Sequence, residues 1–166
     1  TRDQAKTFIY AFLYGAGDAK IGSITGGTAR DGKRLKEKFL ANTPALGRLR
    51  ERVGVASGRG YVLGLDRRRV AIRSSHAALN SLLQSAGAII MKKALCLLDE
   101  YATIWGLDYH IIGNIHDEIQ TEVRADNAER FGQLATSCVE AAGLFYKLNC
   151  PLAGDYKVGN TWADTH

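Results

Sequence analysis

The longest periodic pattern in the chain, from His76 to Trp105, predicts a single long helix. Ser74 and Ser75 stand directly before it, where hydroxyl side chains commonly cap a helix N-terminus. The central Gly87 suggests that another part of the chain packs closely against this helix. Apolar residues at helical spacing form its extended stripe: Leu79, Leu82, Leu83, Ala86, Ile89, Ile90 and Leu97. Polar residues interrupt the stripe, so the chain has no uninterrupted apolar run of membrane-spanning length, and no targeting segment is visible.

Three further helices are predicted before the long one. The first extends from Arg2 to Ala16, and the glycine-rich stretch from Gly22 to Gly27 after it is predicted to be a loop. A charged helix follows from about Asp31 to Leu40. Thr43 then has the position of an N-cap for a helix over Pro44 to Val53, in which proline occupies the first position. The predicted apolar face of the first helix consists of Ala5, Phe8, Ile9 and Phe12.

Two hairpins are predicted on either side of the long helix. Between Gly54 and Ser74, apolar residues alternate with glycines and arginines, and Asp66 lies near the expected turn. After the long helix, Tyr109 to Ile115 and Ile119 to Val123 are predicted strands that flank the triplet His116-Asp117-Glu118. Helices around a small antiparallel sheet make the predicted fold class α+β.

The rest of the chain gives weaker signals. Asp126 is predicted to cap a last helix that ends near Lys147. No Pro-rich or Ser-rich linker divides the sequence, so we expect one compact unit with two subregions. The cysteines, Cys96, Cys138 and Cys150, are far apart and form no Cys-x-x-Cys pair. They are therefore predicted to be buried or inert thiols in a reducing cytosol.

The charge balance favours an anionic partner. Lys plus Arg number 22 against 17 for Asp plus Glu, which gives a formal net charge of +5. The sequence pI is about 9.2. Nucleic acid and nucleotides both fit this excess of positive charge, and the balance alone does not choose between them.

A stripe of four residues, Arg2, Lys6, Tyr10 and Tyr14, follows the first predicted helix beside its apolar face. The first three span about 12 Å, which suits a nucleoside triphosphate. The two cations could neutralise phosphate oxygens while the tyrosine ring faces a sugar and base. The alternative is a solvated cationic face with a tyrosine that anchors the packing, and spacing leaves both open.

The triplet His116-Asp117-Glu118 interrupts two otherwise apolar strands. A hairpin tip could present carboxylates to a hard cation such as Mg²⁺ beside a substrate phosphate. Adjacent strand residues point to opposite faces, so both carboxylates could share one ion only if the turn rotates them together. An acidic turn with a capping histidine explains the spacing equally well.

Two more groups suit nucleic acid. Asn80 and Gln84 lie one turn apart on the long helix, and amides can pair with acceptors in a DNA groove, although such residues are often only solvated. A basic stretch suits a phosphate backbone or an exposed hairpin kept soluble by charge. Its arginines are Arg59, Arg67, Arg68, Arg69 and Arg73.

These motifs together resemble the DNA polymerases of family A. The pattern Arg2-x-x-x-Lys6-x-x-x-Tyr10-x-x-x-Tyr14-Gly15 resembles the fingers-helix motif, and His116-Asp117-Glu118 resembles the third palm motif. Gly64-Leu65-Asp66-Arg67-Arg68 precedes the long helix in the same order. The segments Arg2 to Tyr10 and His76 to Gly87 look most similar to replicative polymerases of short-tailed phages. The resemblance extends over essentially the whole chain.

The resemblance implies a role for each residue of the first stripe. Arg2 and Lys6 would hold the incoming triphosphate, and both would neutralise the leaving pyrophosphate as the helix closes. Tyr10 would pack on the nucleotide sugar. Tyr14 and Gly15 would lie where the templating base stacks.

The resemblance also implies catalytic and DNA-binding residues. Asp117 would coordinate Mg²⁺, Glu118 would be an accessory carboxylate and His116 would lie against the primer end. Asn80 and Gln84 would contact the minor groove of the new duplex. General DNA contacts are assigned to Arg67, Arg69 and Arg73.

The implied reaction is template-directed nucleotidyl transfer from a dNTP to the primer 3′-hydroxyl. Family members have another catalytic aspartate upstream, and the chain starts too late to include it. We therefore expect residues 1–75 to be the fingers with the basic hairpin and residues 76–166 the C-terminal palm portion. The remaining palm and thumb would be partners, together with primer-template DNA.

Further expectations concern the isolated segment. We expect it to be inactive alone, to have no membrane partner and to act in the cytoplasm of a bacterial or phage-infected cell. One alternative is a nonenzymatic DNA-binding module with a polymerase-like fold. Another is a metal-dependent nuclease, which is disfavoured because few further metal ligands lie near the acidic turn.

Overall fold

Helices dominate the computed structural model, which describes residues 1–165. The chain divides into two units, Thr1–Ser85 and a second that begins at Ala86. The first unit holds α1 (Arg2–Leu13), α2 (Asp18–Ile24), α3 (Ala29–Asn42), α4 (Pro44–Ser57), β1 (Tyr61–Leu63) and β2 (Arg69–Ala71). Helix α5 (Ala78–Ile104) begins in the first unit and ends in the second. The second unit also holds β3 (Tyr109–Ile115), β4 (Glu118–Val123), α6 (Ala128–Phe145) and α7 (Trp162–Thr165). Helices with two small antiparallel sheets confirm the predicted α+β class.

Reciprocal capping fixes where α1 and α3 begin. The Thr28 hydroxyl accepts a hydrogen bond from the Asp31 amide, and the Asp31 carboxylate accepts one from the Thr28 amide at 2.9 Å. This bond from the Thr28 backbone is the main reason that the pKa of Asp31 is lowered. Thr1 and Gln4 form the same arrangement at the start of α1. Each box satisfies amides that the first helical turn leaves unpaired.

Helices α2 and α3 pack with their backbones in close contact at two glycines. A Cβ on Gly32 would clash with the Asp18 carbonyl, and one on Gly22 would clash with the Thr28 carbonyl. Lys36 adds a polar clamp, because its Nζ lies 2.9 Å from Asp18 Oδ1 and donates to the Ala16 carbonyl at 2.6 Å. The stretch from Gly22 to Gly27 was predicted to be a loop, and α2 was missed because a helix of seven residues has little periodicity.

The core of the first unit has two clusters. In one, Phe39 meets Phe8 and Phe12 edge to face, with ring centroids 5.1 Å apart in both pairs. The other has Val53, Val62, Ala78 and Leu79 as its buried members. It therefore joins α4, the first hairpin and the start of α5.

Several local predictions in the first unit need correction. Helix α1 ends at Leu13, before the predicted Ala16, and Ala5 and Ile9 of its predicted apolar face are exposed. Thr43 does precede α4, but its hydroxyl donates to the Phe39 carbonyl at 2.7 Å and caps no amide of α4. The hairpin with Asp66 in its turn is confirmed, although it begins only at Tyr61 because α4 continues to Ser57.

Helix α5 confirms the long predicted helix. Its entry is a short 3-10 turn, Ser75–Ala77, capped by the Ser74 hydroxyl. No atom of residues 1–165 outside the local helix lies within 4 Å of a Cβ built on Gly87, so the predicted close packing there is wrong. By length and composition alone, the helical segment Ser75–Ile104 could cross a membrane. That is weak evidence because core helices of water-soluble proteins pass the same test, and the absence of a membrane partner stays a prediction.

The second unit packs one face of the β3–β4 hairpin against α5 and α6. Leu98, Leu107 and Phe131 are buried at its centre, and Ile119 and Val123 of β4 pack against them. A bulge at residue 112 separates the pairs Ile111–Thr121 and Gly113–Gln120. The extra residue shifts the alternation of the rest of β3, and Ile112 itself is 62% exposed.

The tail after α6 returns along that helix over its small residues. Side chains at Gly143 or Gly132 would collide with Leu152 or Tyr156, respectively. The Tyr156 hydroxyl donates to Glu129 Oε2 at 2.8 Å, and this bond is the main reason that the pKa of Tyr156 is raised. The fit of Leu152 and Tyr156 against these glycines and the bond to Glu129 thus hold the tail.

One prediction in the second unit is wrong, and the burial of the cysteines is confirmed for one of the three. The Asp126 carboxylate lies 3.0 Å from the Arg124 guanidinium, and α6 begins at Ala128 after a 3-10 turn without a side-chain cap from Asp126. Among the cysteines, only Cys138 is buried, and burial raises its pKa. Cys96 and Cys150 are exposed.

Substitution of Gly32 by alanine should lower the free energy of unfolding by about 1 to 3 kcal/mol, because the new methyl group must push α2 away from α3. Urea unfolding measures this loss. Gly47→Ala in α4 is the matched control, since its nearest contact would be Leu40 at an ordinary 3.9 Å. Equal effects of the two substitutions would contradict the close helix contact.

Candidate functional site

The predicted stripe on α1 is a single exposed surface. Arg2, Lys6, Tyr10 and Tyr14 are all solvent-exposed, whereas Phe8 and Phe12 on the other side of the helix are buried. The two tyrosine rings are 54% and 58% exposed, so neither anchors the core. Two cations and two aromatic faces are therefore available to a ligand along one side of α1.

The C-terminal end of α1 is held against the start of α5. Gly15 follows the helix at φ +77°, and a Cβ there would lie 2.5 Å from the carbonyl oxygen of His76. Only glycine combines this left-handed backbone with such close approach at little cost. Next to it, Gln84 Nε2 donates a hydrogen bond to Tyr14 Oη at 3.1 Å. Gln84, which was predicted separately from Tyr14 and Gly15, is thus their neighbour.

The entry to α5 shares a small cavity with the end of α1. Gly15, Lys36, Arg50 and His76 are among its lining residues, and its volume is about 200 Å³. Lys36 is already engaged by Asp18 and the Ala16 carbonyl, and the guanidinium of Arg50 lies 5.5 Å from the centre of the Phe12 ring. The sequence analysis did not select these two cations, since nothing in their spacing separates them from other surface charges.

The basic stretch forms the β1–β2 hairpin and its flanks. Tyr61 lies between two guanidiniums, with Arg59 at 5.8 Å and Arg69 at 4.8 Å from its ring centre. Arg68 is paired with Asp66 in the turn. Arg67, at φ +64°, and Arg73 are exposed. The hairpin therefore presents positive charge to solvent, and some of its arginine side chains are held by contacts within the hairpin.

The acidic triplet forms the turn between β3 and β4. His116 and Asp117 make a two-residue loop, and His116 has φ +58°, as the twist of such hairpins requires at the first loop residue. Both side chains are exposed. Glu118 is the first residue of β4, opposite Ile115, and it accepts a hydrogen bond from the Gln120 amide.

Carboxylate oxygens in this turn suit Mg²⁺, which is commonly held by one or two carboxylates together with water and substrate phosphates. Asp117 is exposed and Glu118 is partly buried, so the donor chemistry fits such an ion. Within residues 1–165, no group of three or more His, Cys, Asp or Glu side chains could hold a metal ion. The turn therefore offers a partial site. Lys6 and Asp117 belong to different units.

A family comparison decides which kind of protein this arrangement belongs to. The model of DNA polymerase family A matches residues 1–164. The chain belongs to DNA polymerase family A. The resemblance found in the sequence is thereby confirmed, and the roles of individual residues remain to be proposed.

Similar proteins in phages and bacteria are DNA polymerases as well. A DNA-directed DNA polymerase of Escherichia phage Phieco32 is 40% identical over 173 residues, covering 100% of this chain and 28% of that protein. The DNA-directed DNA polymerase of Escherichia phage T7 is 42% identical over 188 residues, covering 100% of this chain and 27% of the phage protein. DNA polymerase I of Pseudomonas aeruginosa is 26% identical and is covered over 19% of its length. The chain thus spans little more than a quarter of the phage polymerases.

A solved structure shares the fold. The POL domain of Pol1 from M. smegmatis, in complex with DNA primer-template and dNTP, superposes with a TM-score of 0.77 at 22% identity. The match covers 85% of this chain and 27% of that one. It shows that the helices and small sheets of this chain have a polymerase-domain arrangement.

Asp66 should make the turn of the basic hairpin sensitive to acid. Burial acts to raise its pKa, but hydrogen bonds from the Arg68 backbone and side chain outweigh burial and lower it. The stabilisation is therefore present above the unfolded pKa, about 3.9, and is lost as the pH falls through the lower folded value. The melting temperature of wild type should exceed that of Asp66→Asn at pH 7, and the difference should shrink toward pH 3.

An Arg68→Ala background provides the control for this comparison. Without the guanidinium, Asp66→Asn should change the melting temperature less at pH 7, since one of the bonds that favours the carboxylate is absent. If neither pH nor the Arg68 substitution changes the difference in melting temperature, the stabilisation of the Asp66 carboxylate by Arg68 is contradicted.

Proposed function

We propose that these 166 residues are the fingers and C-terminal palm portion of a template-dependent DNA polymerase. The observation that supports this most strongly is the exposed order Arg2, Lys6, Tyr10, Tyr14 along α1, in a chain that belongs to DNA polymerase family A. Cations at one end and aromatic rings at the other match the polarity of a nucleoside triphosphate. The proposed boundary between fingers and palm lies between residues 75 and 76.

The N-terminal half of α1 would bind the incoming dNTP. Arg2 can bind phosphate oxygens with its planar fork, and Lys6 supplies a movable point charge one turn away. Lys6 would also neutralise negative charge as pyrophosphate leaves, which stabilises the transition state more than the ground state. Tyr10 would pack against the sugar. Because these side chains are exposed, the triphosphate need not displace core contacts.

The C-terminal end of α1 and the first turns of α5 would bind the primer-template. Tyr14 and Gly15 would lie beside the templating base, and Asn80 and Gln84 would contact the minor groove, where acceptors occupy similar positions in every correct pair. The hairpin would neutralise backbone phosphates, independently of sequence. Its proposed contacts are Arg67, Arg69 and Arg73.

Asp117 and Glu118 would hold Mg²⁺ together with residues outside this chain. The ion would supply Lewis-acid stabilisation of phosphoryl oxygens when bound. His116, exposed beside Asp117, would contact the primer end and orient its 3′-hydroxyl. This assignment requires a further carboxylate from the remaining palm segment, because the turn alone offers two.

The remaining palm and thumb are the proposed protein partners, and the cytoplasm of a bacterial or phage-infected cell is the proposed location. The support for these partners is that the matched segment is only 19 to 28% of the length of relatives in phages and bacteria. Without the upstream palm strand, residues 1–166 should not extend a primer.

Primer extension tests this proposal. The isolated chain should show no extension above an Asp117→Ala control, and the upstream palm and thumb, supplied in trans or joined covalently, should restore it. In the complete polymerase, Lys6→Ala should reduce kcat by about a hundredfold or more, as loss of a charge-stabilising donor does. Lys33→Ala, which removes an exposed lysine from α3, is the charge-matched control. DNA binding without incorporation by the complete protein would favour the nonenzymatic alternative.

Salt dependence tests the hairpin separately. Each of Arg67→Ala and Arg73→Ala should lower the slope of log K against log salt by about one, if each guanidinium neutralises one phosphate. Fluorescence anisotropy with labelled primer-template measures the slope. Arg34→Ala is the control, since Arg34 lies on α3 and pairs with Asp31. Slopes that equal wild type in both hairpin variants would remove these arginines from the DNA interface.

A further inference from the structure

We propose that Gln84 exchanges partners, donating to Tyr14 in the free protein and to the DNA duplex in the complex, so that DNA binding frees the Tyr14 ring. This inference rests on the proposed polymerase function. It adds to that function a direct link between the helix that would hold the nucleotide and the helix that would contact the duplex.

The link is one hydrogen bond between residues 70 positions apart in the chain. Tyr14 ends α1, and Gln84 lies near the start of α5. The bond runs from the Gln84 amide nitrogen to the Tyr14 hydroxyl oxygen over 3.1 Å. Minor-groove acceptors require the same kind of donor, an amide N–H. The amide nitrogen has two N–H donors in fixed directions on one planar group, so an amide that turns to face the groove would leave the tyrosine.

Exposure makes this bond easy to exchange. Both side chains are open to solvent, so the bond replaces contacts with water and adds little net stability. Its loss leaves no buried polar atom without a partner, because water or DNA can take either side. A ligand that gains only a modest free energy from Gln84 can therefore break this bond.

The neighbouring contact between Gly15 and His76 is a close steric contact, unlike the easily exchanged hydrogen bond. Gly15 lies so close to the His76 carbonyl that the end of α1 stays fixed while the tyrosine side chain changes partner. Once its hydroxyl is released, the Tyr14 ring can turn about its own side-chain bonds without movement of the helix. Its exposed face can then change direction and stack on a base, as aromatic residues do with unpaired bases.

The test is a double-mutant cycle on the dissociation constant for primer-template, in the complete polymerase without dNTP. Tyr14→Phe keeps the ring and removes the competing acceptor, so it should tighten binding by about two- to tenfold. Gln84→Leu should weaken binding. In the Gln84→Leu background, Tyr14→Phe should have no effect. Tyr101→Phe, the same chemical change at an exposed tyrosine farther along α5, should leave the constant unchanged.

Any of three results would overturn the exchange. Tyr14→Phe could leave the affinity for primer-template unchanged or weaken it. Tyr14→Phe could tighten binding equally in the Gln84→Leu background, or Gln84→Leu alone could keep full affinity. Thermal melting checks that each variant is folded, and Gln84→Ala repeats the cycle if the leucine variant is not. A wild-type polymerase that neither binds nor extends primer-template would overturn the proposed function as well. Normal extension with no gain from Tyr14→Phe would overturn only the exchange.

Discussion

The contact between Gly15 and the carbonyl of His76 is the constraint on which the first unit depends. It brings the end of α1 to the start of α5 at a distance that a side chain would prevent. The chain leaves α1 there with a positive φ, which turns it toward α2. As a result, the exposed stripe of α1 ends beside the amides of α5, and Tyr14 meets Gln84. Nucleotide and duplex contacts are thus proposed to share one backbone junction.

The positively charged residues of this chain fall into two groups with different surroundings. Lys36 is only 14% exposed at its side chain and holds Asp18 and the Ala16 carbonyl, and Arg68 holds Asp66 within a turn. These cations stabilise local structure. Arg2 and Lys6 are exposed on α1 instead, where they can bind an anion at little cost in existing contacts. Composition gives the same charge to both groups, and only the fold separates them.

The second unit buries one face of a hairpin and leaves its tip in solvent. Burial of Ile119 and Val123 against α5 and α6 fixes the register of β4, and the two-residue turn then leaves Asp117 exposed. The large apolar side chain of Ile112, at the bulge of β3, is also exposed.

The sequence by itself determined the long helix, both hairpins, the α+β class and the family, because apolar periodicity and turn residues are local and the motifs occur in a fixed order. It also selected Tyr14 together with Gly15, and Gln84 separately. It missed α2 and the clamp by Lys36, since each depends on a partner that local spacing does not reveal. It predicted Asp126 as a helix cap, whereas its carboxylate pairs with Arg124. Tertiary structure alone decided that Gly32 lies against Asp18, that Gly87 is open and that Gln84 donates to Tyr14. Such contacts arise when distant segments meet, and a one-dimensional pattern does not contain the distance between them.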